Sequence, residues 1–417
     1  MGKYMGNNWK EALVHFFEEG EKEKNKKNLG VEVEHFIIRA DDKTAVPYSG
    51  DKGVRLILEK LMAHYPNAQA IEDDDFFGFS VPEFNITLEP AAQLEISILA
   101  TEDIELIGKI YNDFYEKLEG ILKEYGYIAL NAGCQPVSNV NDLELIPKRR
   151  YRLMDAHFLE SGTGGREMMR GSASTQVSID YLSEEDFRRK IRAAYYYGPF
   201  FRLLLDNSTS FQGERVTTHL KRTDIWRRVD NDRCGILPGV FDESYGFSDY
   251  ADFIGNMKPI FLKRGHEVIP TGEQTVKEIF NGKSLDEVDL NHILSMAFPD
   301  VRLKHFLEIR FADSVQAEFI KAYCALVKGL ICSEEGIESA GECIRKEGVT
   351  EQSLIKAEDE LMRNGWDAVV YGKNVREKIE ELMDLARRNL SDKDGLYLTA
   401  FNNVIRYGGI TNMIAGI

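Results

Sequence analysis

Four short segments alternate apolar and polar residues with a period of two, the mark of strands that have one aliphatic and one polar face. In residues 31–38, Val31, Val33 and Ile37 fall on one side and Glu32 and Glu34 on the other. Residues 93–99 set Leu94, Ile96 and Ile98 against Gln93, Glu95 and Ser97, and residues 174–180 set Val177 and Ile179 against Gln176, Ser178 and Asp180. Far downstream, the spacing in 303–311 predicts one more strand, with Leu303, Leu307, Ile309 and Phe311 opposite Lys304, Glu308 and Arg310. Strands of this kind suit an antiparallel sheet covered by helices on one side only, whereas a doubly wound parallel sheet needs strands that are apolar on both faces. The polar side is then open for chemistry.

Helical segments interleave with the strands. Thr101 is the expected N-cap of a helix whose first turn holds Glu102 and Asp103 and whose apolar stripe is Leu106, Ile110, Phe114, Leu118 and Ile121, up to Gly126. Ser183, with Asp186 three residues on, opens another that is expected to run to about Tyr197 and to end at Gly198-Pro199. An amphipathic segment around Trp9, Leu13, Phe16 and Phe17 precedes a polar connection at 21–28. From Ser314 to Asn389 helical periodicity dominates. The stretches 131–171 and 207–250 read as long irregular loops, which in a compact protein are usually functional or mobile.

With 417 residues and an ample hydrophobic fraction, the chain can fold as one large domain or two medium ones. Its 52 basic against 69 acidic residues leave a net charge of −17, which disfavours sequence-independent attachment to nucleic acid or to an anionic membrane. One basic cluster, Lys148-Arg149-Arg150-Tyr151-Arg152, stands out against that background, either as a solvated loop or as an anion-binding edge. The five cysteines are odd in number and lack zinc-like spacing, so a reducing compartment fits best. No basic-then-apolar leader and no apolar run of membrane-spanning length is present, and a cytoplasmic location is expected.

The strongest chemical signal is the recurrence of acids on strand faces: Glu32 and Glu34, Glu89 and Glu95, and Glu308. Hard cations such as Mg²⁺ take oxygen ligands, typically one or two carboxylates per ion plus substrate phosphate oxygens. Solvated polar sides of separate strands would give the same pattern. Asp73, Asp74 and Asp75 are assigned to a loop, with a metal role as the lesser reading. Gly282-Lys283-Ser284 lacks the earlier glycine of a P-loop, and Gly162-Thr163-Gly164-Gly165 fails the dinucleotide pattern, leaving a lid or an ordinary turn. There is no G-x-S-x-G elbow and no H-E-x-x-H pair. His35 faces the aliphatic side by parity and is expected to be structural. Arginines crowd residues 215–233, either as surface ion pairs with the neighbouring aspartates or as a carboxylate- or phosphate-binding set.

Taken in order, several motifs resemble the plant and proteobacterial type of glutamate-cysteine ligase. They are Leu29-Gly30-Val31-Glu32-Val33-Glu34-His35, Leu88-Glu89-Pro90-Ala91-Ala92-Gln93-Leu94-Glu95-Ile96-Ser97, Gly133-Cys134-Gln135-Pro136 and Ile146-Pro147-Lys148-Arg149-Arg150-Tyr151. Further on come Ser174-Thr175-Gln176-Val177-Ser178-Ile179-Asp180, Gly235-Ile236-Leu237-Pro238, Phe298-Pro299-Asp300-Val301-Arg302-Leu303-Lys304 and Leu307-Glu308-Ile309-Arg310. The resemblance implies an α+β, glutamine-synthetase-like fold: a curved antiparallel sheet with helices on its convex side, built as a single catalytic domain over 1–417 with 313–417 as its helical layer. It implies ATP and Mg²⁺ as cofactors, and small-molecule substrates (glutamate, cysteine and ATP) joined through a γ-glutamyl phosphate. No nucleic acid or membrane is implied as a partner, and the chain is expected to be a monomer or homodimer.

Carried over by motif, Glu32, Glu34, Glu89, Glu95 and Glu308 are the expected metal ligands. Gln176, Lys148 and Arg310 are expected at the nucleotide, with Arg310 also catalytic at the transferring phosphoryl group. Arg150, Arg222 and Trp226 are expected at glutamate. The chain departs from the plant pattern in three places: Arg149 stands where a glycine precedes Arg-Tyr, Ala91-Ala92 replaces Gly-Gly, and the cysteine pairs of the plant regulatory disulfides have no counterpart. Two other readings remain: a ligase that uses a different amine, and a non-catalytic binding protein on the same scaffold.

Overall fold

A computed structural model describes residues 8–23, 27–72, 75–264 and 267–415. Nine strands form one sheet: β1 (Leu29–Arg39), β2 (Gln69–Glu72), β3 (Phe76–Ser80), β4 (Phe84–Leu88), β5 (Leu94–Thr101), β6 (Tyr127–Leu130), β7 (Ser174–Ile179), β8 (Val301–Leu303) and β9 (Leu307–Asp313). Their order is β8-β9-β7-β1-β5-β4-β3-β2, and every pair is antiparallel. β6 pairs only with the second half of β1, from Phe36 opposite Leu130 to Arg39 opposite Tyr127. Register breaks in β1, β2 and β9 act as bulges, which bend strands and raise their twist. At the centre, Val31 lies between Ile98 and Val177, and Glu32 between Ser97 and Gln176.

The apolar face carries the core. Leu29, Val31 and Val33 of β1, Leu94, Ile96 and Ile98 of β5, and Val177 and Ile179 of β7 are buried there, as their alternation predicts. Eight helices complete the part of the fold that surrounds the sheet: α1 (Trp9–Glu19), α2 (Val54–Met62), α3 (Ile104–Lys123), α4 (Arg149–Ser161), α5 (Gly165–Gly171), α6 (Glu184–Leu204), α7 (Lys221–Trp226) and α8 (Phe247–Asn256). α3 packs on β5 and β6, and α6 on β9. His35 is buried in the same layer, with Nδ1 3.0 Å from the Leu94 carbonyl and Nε2 2.8 Å from the Tyr111 hydroxyl. Burial lowers its pKa to about 4, so the ring is neutral and structural.

The structure differs from the sequence expectation in four places. Residues 303–311 are not one strand but the hairpin β8–β9, in which Leu303 pairs with Leu307 and Arg302 with Glu308. The turn residues Lys304-His305-Phe306 carry no glycine or proline; the His305 ring instead stacks on Phe16 of α1 at 3.9 Å, a tertiary contact that holds the turn. α3 starts at Ile104 after the N-cap Asp103, whose side chain accepts from the Glu105 amide, and its buried stripe is Ile104, Ile107, Tyr111, Phe114, Leu118 and Ile121, leaving Leu106 exposed. α6 opens at Ser183 as expected, yet it continues through Pro199 to Leu204, because Phe200, Phe201, Leu203 and Leu204 are buried and Gly198 lets the helix close on Phe311. The supposed loops 131–171 and 207–250 hold α4, α5, α7 and the start of α8. Of the three aspartates assigned to a loop, Asp73 and Asp74 lie outside the described residues, as do residues 24–26 of the polar connection.

The C-terminal region is helical. Helix Ala317–Leu330 packs on α3 and on Val375–Arg388, while Glu334–Glu347 and Glu351–Asn364 pack on α6. No described helix is long and apolar enough to cross a membrane. All five cysteines are free.

Arg202 of α6 ties this region to the sheet. It is buried, lies 2.7 Å from Asp300 and 3.0 Å from Glu358, and donates to Thr223 at 3.1 Å. Removing one partner of a buried ion network strands the other charges. Arg202→Met is expected to lower stability by about 3–5 kcal/mol in urea unfolding, with Glu358→Gln on the same background recovering part of the loss; an unchanged midpoint would mean that the network carries no net stability.

Candidate active site

The polar face of the sheet floors a cavity of about 270 Å³. Glu32, Glu34, Glu89, Glu95, Gln176, Arg150, Arg222, Trp226 and Arg310 all line it, together with Arg302 and Lys304. The positions of Glu32, Glu34, Glu95, Gln176 and Arg310 follow from strand parity. Glu34 of β1 is directly opposite Glu95 of β5, and Glu32 is opposite Gln176 of β7. Glu89 reaches the same space from the turn after β4, which is closed by the Ala92 amide donating to the Glu89 carbonyl at 2.9 Å. Ala92 takes φ +62° in that turn, the left-handed region that favours glycine.

The acids are held in fixed orientations. Glu34 accepts from the Ser174 amide at 2.8 Å, the Ser174 hydroxyl at 3.0 Å and Gln176 Nε2 at 3.3 Å. Glu95 accepts from Thr87 and Ser97 hydroxyls, both at 3.0 Å. Burial and mutual repulsion nevertheless push their pKa values up. Glu32 rises to about 8 through burial, then Glu95 and Glu308; Glu34 to about 8 through burial, then Glu89 and Glu95; Glu95 to about 7 through burial, then Glu89. Glu89 is raised by burial against the opposing pull of Lys148 and Arg150.

Glu308 stands apart from the other four. It is fully buried and grips Arg302 through two hydrogen bonds, one of them 2.8 Å long, with Arg310 at 3.3 Å and Lys304 at 3.8 Å. Burial would raise its pKa, but the three cations outweigh that and hold the carboxyl well below its usual range. Arg310 Nη1 also donates to Gln176 Oε1 at 2.6 Å, so Gln176 links the arginine to Glu34. Two guanidinium groups lie over the Trp226 ring, Arg222 at 5.7 Å and Arg310 at 5.5 Å from its centroid.

Arg222 is buried, donates to the Arg310 carbonyl at 3.2 Å and forms no ion pair among the described residues. Burial lowers its pKa. A buried arginine of this kind is poised for an incoming carboxylate or phosphate. Arg150, in the first turn of α4, contributes a guanidinium 3.5 Å from the Ser295 carbonyl. Lys148 acts from just outside the cavity wall, with Nζ over the Phe77 and Tyr151 rings at 5.1 and 5.3 Å. The basic cluster is therefore the start of a helix, not a loop. Asp75 does not reach the cavity; it pairs with Arg55 at 3.4 Å.

Gly162-Thr163-Gly164-Gly165 joins α4 to α5 as a close crossing, since a Cβ on Gly162 would sit 2.2 Å from the Arg228 carbonyl oxygen. α4 and α5 supply a further wall of Met154, Met168 and Met169, which periodicity did not single out. Arg302 was also missed. It belongs to a quoted motif, but only the hairpin register puts it beside Glu308.

The donor set fits a hard divalent cation: all oxygen, buried, mutually repelling and only partly offset by arginine. Among the described residues no three acids, imidazoles or thiols stand close enough to enclose an ion by themselves, so water or substrate oxygens would complete any coordination.

A sequence model of the glutamate-cysteine ligase family 2 (GCS2) matches residues 28–407. The chloroplastic glutamate–cysteine ligase of Arabidopsis thaliana is 28% identical over 416 residues, covering 96% of this chain and 77% of that protein. Chloroplastic glutamate–cysteine ligase B of Oryza sativa subsp. japonica is 27% identical over 390 residues, covering 91% and 77%. Among solved structures, a glutamate–cysteine ligase from Francisella tularensis in complex with AMP is similar in fold, with a TM-score of 0.54 and 10% identity over 93% of this chain and 83% of that one. The open antiparallel sheet, with its apolar face packed on helices, is thus the glutamine-synthetase-like α+β fold that the motifs imply, although α4, α5 and α7 also wall the cavity on its polar face. With the match running from the start of β1 to the last helices, the chain belongs to the glutamate-cysteine ligase family 2.

Proposed function

We propose that this chain joins the side-chain carboxylate of glutamate to the amino group of cysteine at the expense of ATP. The observation that carries this reading is a single cavity in which Glu32, Glu34, Glu89 and Glu95 face Arg150, Arg222 and Arg310, in a member of a ligase family. A carboxylate is a poor acyl donor. In the first step its oxygen attacks the γ-phosphorus of ATP, the bond to the bridging oxygen breaks, and γ-glutamyl phosphate and ADP form. In the second, the cysteine amine attacks the acyl carbon, phosphate leaves and the amine loses a proton. No side-chain nucleophile is needed, which suits a site without a triad.

The chain's own residues contribute alignment and charge. Arg222 binds a carboxylate of glutamate, and Trp226, whose buried Nε1 has no hydrogen-bond partner, offers a donor beside it. Arg310, pinned by Gln176 and Glu308, turns its remaining N–H groups to the transferring phosphoryl group. Arg150 and Lys148 offset negative charge at the Glu89 end. Glu32, Glu34, Glu89 and Glu95 would hold Mg²⁺, which when bound would supply positive charge to offset that of the phosphate groups. Glu308, expected as a further ligand, is already committed to Arg302, Lys304 and Arg310, and in this reading it serves by fixing Arg310. The thioether wall of Met154, Met168 and Met169 suits a small, soft acceptor side chain. The nucleotide in the Francisella tularensis relative, solved with AMP, supports a nucleotide here.

With glutamate, cysteine, ATP and Mg²⁺ all present, mass spectrometry is expected to show γ-glutamylcysteine and one ADP per product; equal turnover with other amines would reassign the acceptor. Glu34→Gln is expected to cut kcat on the order of 100-fold and to raise the Mg²⁺ concentration needed for half-activity, with the urea midpoint kept. A loss of only a few-fold would remove Glu34 from the reacting centre.

Carboxylates whose pKa is raised on folding bind more protons in the folded state, so their contribution to stability is full below the unfolded value and is lost as pH rises through about 8. Without Mg²⁺, melting temperature is therefore expected to fall between pH 6.5 and 8.5. Added Mg²⁺ should restore more stability at the upper end, where it does not compete with protons. A Mg²⁺ effect that is absent, or the same at both pH values, would contradict the assignment of these acids to the cation.

A further inference from the structure

Behind the catalytic sheet, α3, the residue after β6 and the start of helix Ala317–Leu330 line a second, solvent-open cavity of about 380 Å³. It shares no lining residue with the first. The Tyr111 and Tyr115 rings, 5.9 Å apart and inclined by 21°, form its aromatic wall. Glu116 and Glu119 are its charged groups; Glu119 lies 3.2 Å from Lys123, while Glu116 makes no ion pair among the described residues. No lysine or arginine lines it. Gln316 adds a buried side-chain oxygen without a hydrogen-bond partner, although Gln316 stands at the N-cap of its helix.

These features select one ligand chemistry. A buried acceptor without a partner costs free energy until a donor reaches it. Glu116, a carboxylate without an ion-pair partner among the described residues, favours positive charge, and paired tyrosine faces favour a flat ring and an ammonium or guanidinium group lying on them. The volume suits a single-ring molecule. We infer that this cavity binds a small organic cation with an aromatic body, its charged group toward Glu116 and Gln316 and its ring against Tyr111 and Tyr115.

The seat is tied to the catalytic sheet. The Tyr111 hydroxyl meets His35 at 2.8 Å, and Asn131, on the cavity floor, donates to the Ser314 hydroxyl at 3.0 Å, which in turn donates to the Glu34 backbone carbonyl at 2.5 Å. An occupant thus touches two side chains that hold β1 from behind at Glu34. The inference concerns binding alone and stands whether or not the catalytic reading holds.

Isothermal titration calorimetry of the full chain tests it with tyramine as the probe, with glutamate and ADP present to fill the first cavity. Tyramine is expected to bind one-to-one and about tenfold or more tighter than 4-hydroxyphenylacetate, which carries the opposite charge on a similar ring. Ala317→Phe, which fills the cavity, is expected to abolish binding. The surface pair Glu116→Gln and Glu119→Gln, which leaves the core untouched, should weaken it about fivefold. No binding at millimolar tyramine, equal binding of the two probes, or binding that survives both sets of substitutions would overturn the proposal.

Discussion

Carboxylates buried side by side repel one another, and much of this structure is arranged around that repulsion. Glu32 and Glu34 share a strand face with Glu95 across one ladder and approach Glu89 from the next turn. Hydroxyl and amide donors from Ser174, Thr87, Ser97 and Gln176 orient the acids but do not neutralise them, since pKa values near 7 to 8 persist for three of them. A site kept at that electrostatic tension favours whatever brings positive charge into it.

Positive charge of the protein's own is placed at the margins. Arg302, Lys304 and Arg310 gather on Glu308 at one end, Lys148 and Arg150 stand near Glu89 at the other, and Arg222 lies between. Glu308 absorbs much of the first group, which fixes Arg310 in place. The Trp226 ring lies within cation–π distance of both Arg222 and Arg310, which helps offset the closeness of two like charges. Substrate anions would therefore meet guanidinium groups whose orientation is set before they arrive.

The opposite face of the sheet does different work. There the same strands bury aliphatic side chains, and His35, one residue after Glu34, is neutral and hydrogen-bonded into the core. Parity alone separates the two roles, because neighbouring side chains on a strand point to opposite sides. α6 and the C-terminal helices brace this layer through Arg202, Asp300 and Glu358.

Strand parity, the order of the acidic motifs and the Ser183 cap were legible in the sequence, because each depends on residues near one another in the chain. From these follow the one-sided antiparallel sheet, the acids on its open face and the structural role of His35. Tertiary contacts decided the rest. The hairpin at Lys304 turns without glycine or proline because His305 docks on Phe16, and only that turn sets Arg302 on Glu308. α6 passes through Pro199 because the residues beyond it are buried, and the basic cluster at Lys148 becomes a helix that brings Arg150 and Met154 to the cavity. Local propensity follows from a few neighbouring residues, whereas these features follow from burial against segments a hundred or more residues away, which a linear pattern does not encode.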